Sequence, residues 1–313
     1  MYDEGMTHLA AAALMMMAPG THRVMINNVE LVYHVYGTGP VVVAHAGGPG
    51  AQWDILRMPE VERFATVVYL EPVGTGASGK LSDPNGYTID RYVGDVEGLR
   101  AILGLERFVL LGHSHGGFVA QAYALAHPGY LRGLILYDTT PTTGKAWQQD
   151  VEANLAWFAS EPWFADAKSA LAEETSAAND DDMTAIFRRE MPLYFADWTA
   201  HAGRYEPYRA AVRFSVAPSR AVTDPSSPNQ VGVAPVFDVV ERLHEIVVPT
   251  LVLSGTRDFV CSAKFGRMLH DGLPDARLVL LSRSGHMGHI EEPQAFAGTI
   301  HEFLDELARA RKR

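Results

Sequence analysis

The chain has 313 residues, 47% of them hydrophobic, which suits one large α/β domain or a core carrying an insertion. Its formal charge of −11 leaves no electrostatic case for binding nucleic acid. A single cysteine, Cys261, rules out an internal disulfide framework and argues against a thiolate metal site.

Residues 9–19, LAAAALMMMAP, are apolar and of signal-peptide length. Asp3 and Glu4 precede them and no Lys or Arg does, against the positive n-region of a secretory signal. The run is too short to span a bilayer. It reads as a short helix in an N-terminal extension, residues 1–22, and the expected location is cytoplasmic. From residue 23 the pattern becomes strand-like, with a hairpin expected around Asn27 and Asn28. PVVVAHAGGPG and FATVVYLEP each read as a buried strand entering a loop. YTIDRYVGDVEGLRAILGL is helical, with Ile89, Tyr92, Val93, Val96, Leu99 and Ile102 on one face. RFVLLGHSHGG is a strand breaking into a helix, and LRGLILYDTTP is the next strand. Buried strands alternating with helices imply an α/β fold, a mostly parallel sheet with helices on both faces. The alternation stops near Pro141. Residues 142–240 read as a helical, aromatic and acidic insertion, with a loop-like stretch, VAPSRAVTDPSSPNQ, near its end. The sheet pattern resumes at 241–313 with VVPTLVLSGTRD, ARLVLLSRSGHMGHIEEP and a closing helix.

The loop VGTGASGKLS, residues 73–82, contains G-x-G-x-x-G and misses G-x-x-x-x-G-K-[ST] by one residue, Leu81. Phosphate binding by such a loop requires a helix directly after it. Pro84, Asn85 and Gly86 form a turn cluster instead, so the loop is read as structural.

GHSHGG places Gly112, Ser114 and Gly116 as G-x-S-x-G between a buried strand and an amphipathic helix. The small residues let a sharp turn close while the Ser114 hydroxyl stands exposed, and the His115 N–H opens the helix beside it. A serine hydroxyl needs a base, and the base an orienting acid, in the chain order Ser, acid, His. Asp258 and His286 lie after late strands, in the required order; Asp138 and His289 are their rivals. In HAGGPG, the Gly48 amide, with Gly47 second, is expected to join the His115 amide in holding a developing oxyanion. His113, His115, His286 and His289 are the residues a metal site would draw on, but no carboxylate pattern completes a ligand set, so neither metal nor cofactor is expected.

These residues resemble the α/β-hydrolase-fold serine hydrolases, and within them the proline iminopeptidase-like group, from about residue 23 to the C-terminus. HAGGPG is similar to the group's H-G-G-P-G loop, EPVGTGAS to the end of its D-x-R-G-x-G-x-S loop, and SGHMGHIEEPQAF to its histidine loop. Glu71 and Val73 replace the usual Asp and Arg, and GHSHGG departs from the elbow usual in iminopeptidases. The resemblance implies an α/β-hydrolase fold in which 142–240 is a lid, and a triad of Ser114, Asp258 and His286. It implies hydrolysis of an amide or ester of a small molecule or short peptide, without nucleic acid or membrane as partner. Iminopeptidases bind a free amino terminus through lid glutamates; Glu161, Glu173, Glu174, Glu190 and Glu206 are available here, most of them expected on solvated helix faces. An esterase or lactonase, and an acyl-transferring or cyclising enzyme, are the alternatives. The oligomeric state is left open.

Overall fold

Asn27 and Asn28 take φ of 48° and 63°, the positive values that a two-residue hairpin turn matching strand twist requires. They join β1 (Gly20–Ile26) to β2 (Val29–Tyr36), paired from Gly20 opposite Val35 to Ile26 opposite Val29. The computed structural model describes residues 15–223 and 237–310. The helix expected at residues 9–19 therefore lies largely outside the described residues; Met16 and Met17 pack against the core. The hairpin begins at Gly20, three residues inside the stretch read as an extension, because Thr21 and His22 pair with His34 and Tyr33.

Six further strands complete one sheet: β3 (Val41–His45), β4 (Thr66–Leu70), β5 (Phe108–His113), β6 (Leu131–Tyr137), β7 (Thr250–Gly255) and β8 (Ala276–Leu281). The order is β1-β2-β4-β3-β5-β6-β7-β8. β2 runs antiparallel to its two neighbours and all other pairs are parallel. β4 lies on one side of β3 and β5 on the other, so the chain reverses its direction of travel there. In open parallel sheets, ligands bind at the carboxyl ends of the strands at such a point.

Near-continuous apolar strands need cover on both faces. On one face lie α1 (Ile89–Ile102) and α2 (His115–Ala126), with Tyr92, Val96, Leu99, Phe118, Val119 and Tyr123 against the sheet. Thr88 caps α1 by accepting a hydrogen bond from the Arg91 amide at 3.1 Å. The C-terminal helix, Pro293–Ala310, covers the other face with Phe296, Ile300, Phe303, Leu304 and Leu307. Among the described residues between β6 and β7 stand α3 (Lys145–Asn154), α4 (Phe164–Glu173), α5 (Asp180–Glu190), α6 (Trp198–Ala211) and α7 (Val216–Thr223). Residues 216–223 were expected as loop from their Pro and Ser content. They are helical because Pro218 sits in the first turn, where no amide partner is lost, while Ala221 and Val222 are buried. After the insertion come α8 (Ala263–Gly272) after β7, a short helical turn at Gly288–Glu291, and the C-terminal helix, α9.

The loop at 73–82 wraps a carboxylate and precedes no helix. Glu71 Oε2 accepts the amides of Ala77 and Ser78 at 2.6 and 3.2 Å, and Glu71 Oε1 meets His34 Nε2 at 2.7 Å. Gly76 has φ of 52°, and a Cβ there would fall 2.4 Å from Glu71 Oε2. The next α-helix starts at Ile89. Among the described residues no helix is long and apolar enough to cross a membrane.

Candidate active site

Ser114 sits between β5 and α2 with φ of 55° and ψ of −122°, a conformation sterically costly for a residue with a Cβ. Its backbone is fixed from three sides: its amide donates to Tyr137 O at 3.0 Å, while its carbonyl accepts from the Gly117 amide and Thr139 Oγ1. The surrounding glycines are dictated by contact. A Cβ on Gly112 would lie 2.2 Å from Gly116 O, and one on Gly116 would lie 2.2 Å from His45 O. The turn therefore closes only with glycine at both positions.

His286 follows β8 and Asp258 follows β7. His286 Nδ1 and Asp258 Oδ2 are 2.7 Å apart, and both side chains are buried. The amides of Val260 and Cys261 each donate to Asp258 Oδ1 at 2.9 Å, so both carboxylate oxygens are engaged. Asp138, the rival acid, is buried with φ of 44°; its Oδ1 accepts the Gly255 amide at 2.7 Å and its Oδ2 has no partner among the described residues. Burial, and then the nearby charge of Asp258, push its pKa well up. His289, the rival histidine, has both ring nitrogens committed, to Tyr137 Oη at 3.0 Å and Ile55 O at 2.8 Å. Burial lowers its pKa to about 4, so the ring is neutral. Cys261 is buried, and desolvation followed by the Asp258 charge raises its thiol pKa well above the ordinary value, which leaves it without thiolate character.

Ser114 and His286 line one cavity of about 110 Å³ together with Gly47, Gly48 and His113. Gly47 touches the serine closely enough that a Cβ there would meet Ser114 Cβ at 2.6 Å. Among the described residues the amides of Gly48 and His115 donate no hydrogen bond to the protein. Met183, Phe187, Phe214, Val222 and Val260 make most of the remaining wall apolar.

Glu174, in the turn after α4, also lines the cavity, and Glu190, the last residue of α5, is fully buried. Among the described residues neither Glu190 oxygen meets a donor other than the neighbouring Glu174 carboxyl. Burial and the charge of Glu174 hold the Glu190 pKa well above the usual range, and burial raises that of Glu174. The nearest cation in sequence, Arg189, is spent on Asp166 and Glu173. Two of the five glutamates are thus brought together at the site. Glu173 and Glu206 pair with Arg189 and Arg209 towards solvent, and Glu161 accepts from Thr199 Oγ1. Helical periodicity could not single out this pair, because sixteen residues and a turn separate its members.

Two groups of three ligand-type side chains, His113 with Asp138 and His286, and Asp258 with Cys261 and His286, bring their ligand atoms within 4.8 Å of one another. Both draw on His286, whose Nδ1 already meets Asp258, so a metal on either would compete with that pair. Tyr194 escaped the sequence reading altogether. Its carbonyl accepts the His286 amide at 2.8 Å and its ring packs 5.6 Å from the imidazole.

The sequence profile of the family described as alpha/beta hydrolase fold matches residues 39–293. The chain is 29% identical over 291 residues to a proline iminopeptidase of Saccharolobus solfataricus, covering 90% of each chain. The solved proline iminopeptidase of Mycobacterium smegmatis superposes with a TM-score of 0.70 at 20% identity, over 93% of this chain and 100% of that one. A thermophilic esterase from Thermogutta terrifontis gives 0.69 at 22% identity, over 92% and 98%. At such identities the two structures speak for the fold alone. The family match and the curated relative carry further: the chain belongs to the α/β-hydrolase fold family, is similar within it to the proline iminopeptidases, and is a hydrolase.

Proposed function

We propose that the protein is a serine aminopeptidase of the iminopeptidase kind, removing a small amino-terminal residue from a short peptide or amide. The observation that carries this reading is the carboxyl pair of Glu174, half-buried on the wall of the Ser114 cavity, and Glu190, fully buried against it, with no ion pair to either among the described residues. Buried carboxyl groups of this kind are costly unless something positive meets them. A substrate α-ammonium is the cation they suit, and it would fix the adjacent carbonyl near Ser114. The names of the curated relatives agree with this reading. The cavity size supports it too: an apolar cavity of about 150 Å³ holds a benzene ring, so one of about 110 Å³ suits a pyrrolidine ring or similar small group.

In this reading Ser114 Oγ attacks the carbonyl carbon and passes its proton to His286 Nε2, while Asp258 holds Nδ1–H and stabilises the imidazolium. The Gly48 and His115 amides donate hydrogen bonds to the oxyanion, each contributing on the order of 10²–10³ in rate. His286 returns the proton to the leaving nitrogen as the C–N bond breaks. Water, deprotonated by His286, then attacks the acyl-enzyme, and the proton returns to Ser114 Oγ as the acid leaves. No cofactor enters any step. The helices between β6 and β7 act as the lid that closes the site.

The apolar wall favours a second reading, an esterase or lactonase for a small acyl group. Hydrolysis of proline 4-nitroanilide, its N-acetyl form and a short-chain 4-nitrophenyl ester by wild type and Ser114→Ala separates the two. The aminopeptidase reading expects cleavage of the free anilide, none of the acetylated one, and a loss on the order of 10⁴–10⁶ in Ser114→Ala. Ester cleavage alone would leave the serine mechanism standing and overturn the peptidase. A Ser114→Ala enzyme of undiminished activity would overturn both.

A further inference from the structure

Glu291 lies five residues beyond His286, and its side chain is spent on backbone, including two amides outside its own turn. Its Oε2 accepts the Gly285 amide at 2.7 Å, next to the histidine. Its Oε1 accepts the Ala196 amide at 2.7 Å, on the insertion. Between these two anchors the His286 amide donates to Tyr194 O at 2.8 Å. The two backbones touch: a Cβ on Gly285 would lie 2.7 Å from Tyr194 O and 2.9 Å from Ala196 N. Arg204 of α6 grips the same turn, donating to the carbonyls of Ile290 and Glu291. The bound segment, residues 194–196, begins four residues after Glu190.

We infer that Glu291 is a positioning residue, which clamps the histidine loop to the insertion and so sets the place of the His286 ring relative to Ser114 and to the acyl group the insertion holds. This rests on the reading of His286 as the base. A carboxylate is the side chain that can do this, since two N–H donors converge on it from two chain segments and each needs an acceptor. In Glu291→Gln the amide nitrogen would oppose one of those donors, and one segment would come free. In Glu291→Asp the charge stays but the shorter stem reaches one donor only.

The test uses the ester, so that it does not depend on amine recognition. It compares kcat and KM for wild type, Glu291→Gln, Glu291→Asp and His286→Ala, and records the low-field proton resonance of His286 Nδ1–H. A misplacement near 1 Å at a reacting group costs on the order of 10² in rate. The expectation is that kcat falls about that far in Glu291→Gln and less in Glu291→Asp, with KM within about twofold and the resonance broadened or shifted in step. A purely structural residue would lower the melting temperature and leave the resonance in place. A Glu291→Gln enzyme with wild-type kcat and resonance overturns the proposal, and a folded Glu291→Asp enzyme with both unchanged does so if the Gln variant fails to fold. Hydrogen exchange on the wild-type chain needs no variant: the Ala196 and Gly285 amides should exchange slowly and together, and rapid exchange of either overturns the clamp. An active His286→Ala enzyme would instead sink the reading of the base.

Discussion

Replacing Glu190 by Met should make the enzyme more stable and less able to use a free amine. Glu190 is fully buried, and among the described residues its oxygens meet no donor other than the neighbouring Glu174 carboxyl. A buried polar group left unsatisfied costs about 1–3 kcal/mol. Met has a similar volume, so the packing around α5 is kept. For a chain of this size the gain corresponds to roughly 2–6 °C in Tm. Its pH dependence follows from the raised pKa of Glu190, caused first by burial and then by Glu174. A carboxyl whose folded pKa lies above its unfolded value of 4.5 favours the fold while protonated and penalises it increasingly as pH rises above that value. The advantage of Glu190→Met should therefore be small near pH 5 and grow toward pH 8. Activity should move the other way. Removing one partner of a buried charge pair costs about 2–5 kcal/mol, so kcat/KM for proline 4-nitroanilide should fall on the order of 10²–10³ while an ester lacking an amine is unaffected. Calorimetry at the two pH values and steady-state kinetics on the two substrates suffice. A variant that melts lower than wild type at pH 8, or that keeps full activity on the free amine, refutes the argument.

The acid assignment makes a paired prediction. Asp258→Asn should lower kcat by about 10⁴ by disturbing the His286 tautomer, whereas Asp138→Asn, which leaves the His286–Asp258 hydrogen bond in place, should stay within about threefold of wild type. His45 and His289 are buried with pKa values lowered by desolvation to about 4. Unfolded, they protonate near 6.5. Between those values the unfolded chain binds more protons, so stability should drop as pH falls from 6.5 toward 4, by up to ~3 kcal/mol per ring; urea unfolding at pH 7 and pH 5 measures it. Gly116→Ala, whose Cβ would lie 2.2 Å from His45 O, should yield little folded enzyme, judged by soluble expression and near-UV circular dichroism.

What was legible in the sequence follows the range of the forces involved. The hairpin, the parallel strands and the turn at Ser114 are local: Asn27 and Asn28, runs such as VVVAH, and glycines within two positions of the serine each carry their own signal. The pairing of His286 with Asp258 joins residues 28 apart, and was reachable only because strand order ties both to one sheet edge. Pattern ranks His286 above His289, because it follows a Ser-Gly turn directly after the strand, and Asp258 above Asp138. Hydrogen bonding separates the rivals physically: His286 Nδ1 meets Asp258, while the Asp138 carboxyl accepts the Gly255 amide and His289 is tied by both nitrogens. The helix at Val216–Thr223 was hidden by composition, because Pro and Ser are counted as breakers wherever they stand, although a proline in a first turn breaks nothing.

Residues 190–196 connect features that the sequence keeps apart. Glu190 ends α5 beside the cavity, Tyr194 O holds the His286 amide, and the Ala196 amide reaches Glu291. Seven residues thus run from the carboxyl pair to the two hydrogen bonds that seat the histidine loop. A buried carboxyl without a cationic partner and a short, tightly clamped connection have opposite effects on stability. They fit together if the clamp supplies what the carboxyl pair loses in the free enzyme, and if a substrate ammonium removes the conflict on binding. The same connection explains why the insertion cannot be regarded as a cover laid over a finished site: it supplies the acceptor for the His286 amide, so the position of His286 depends on the insertion. Glu190→Met and Glu291→Gln probe its two ends. They should separate cleanly, the first acting on the free-amine substrate alone and the second on every substrate.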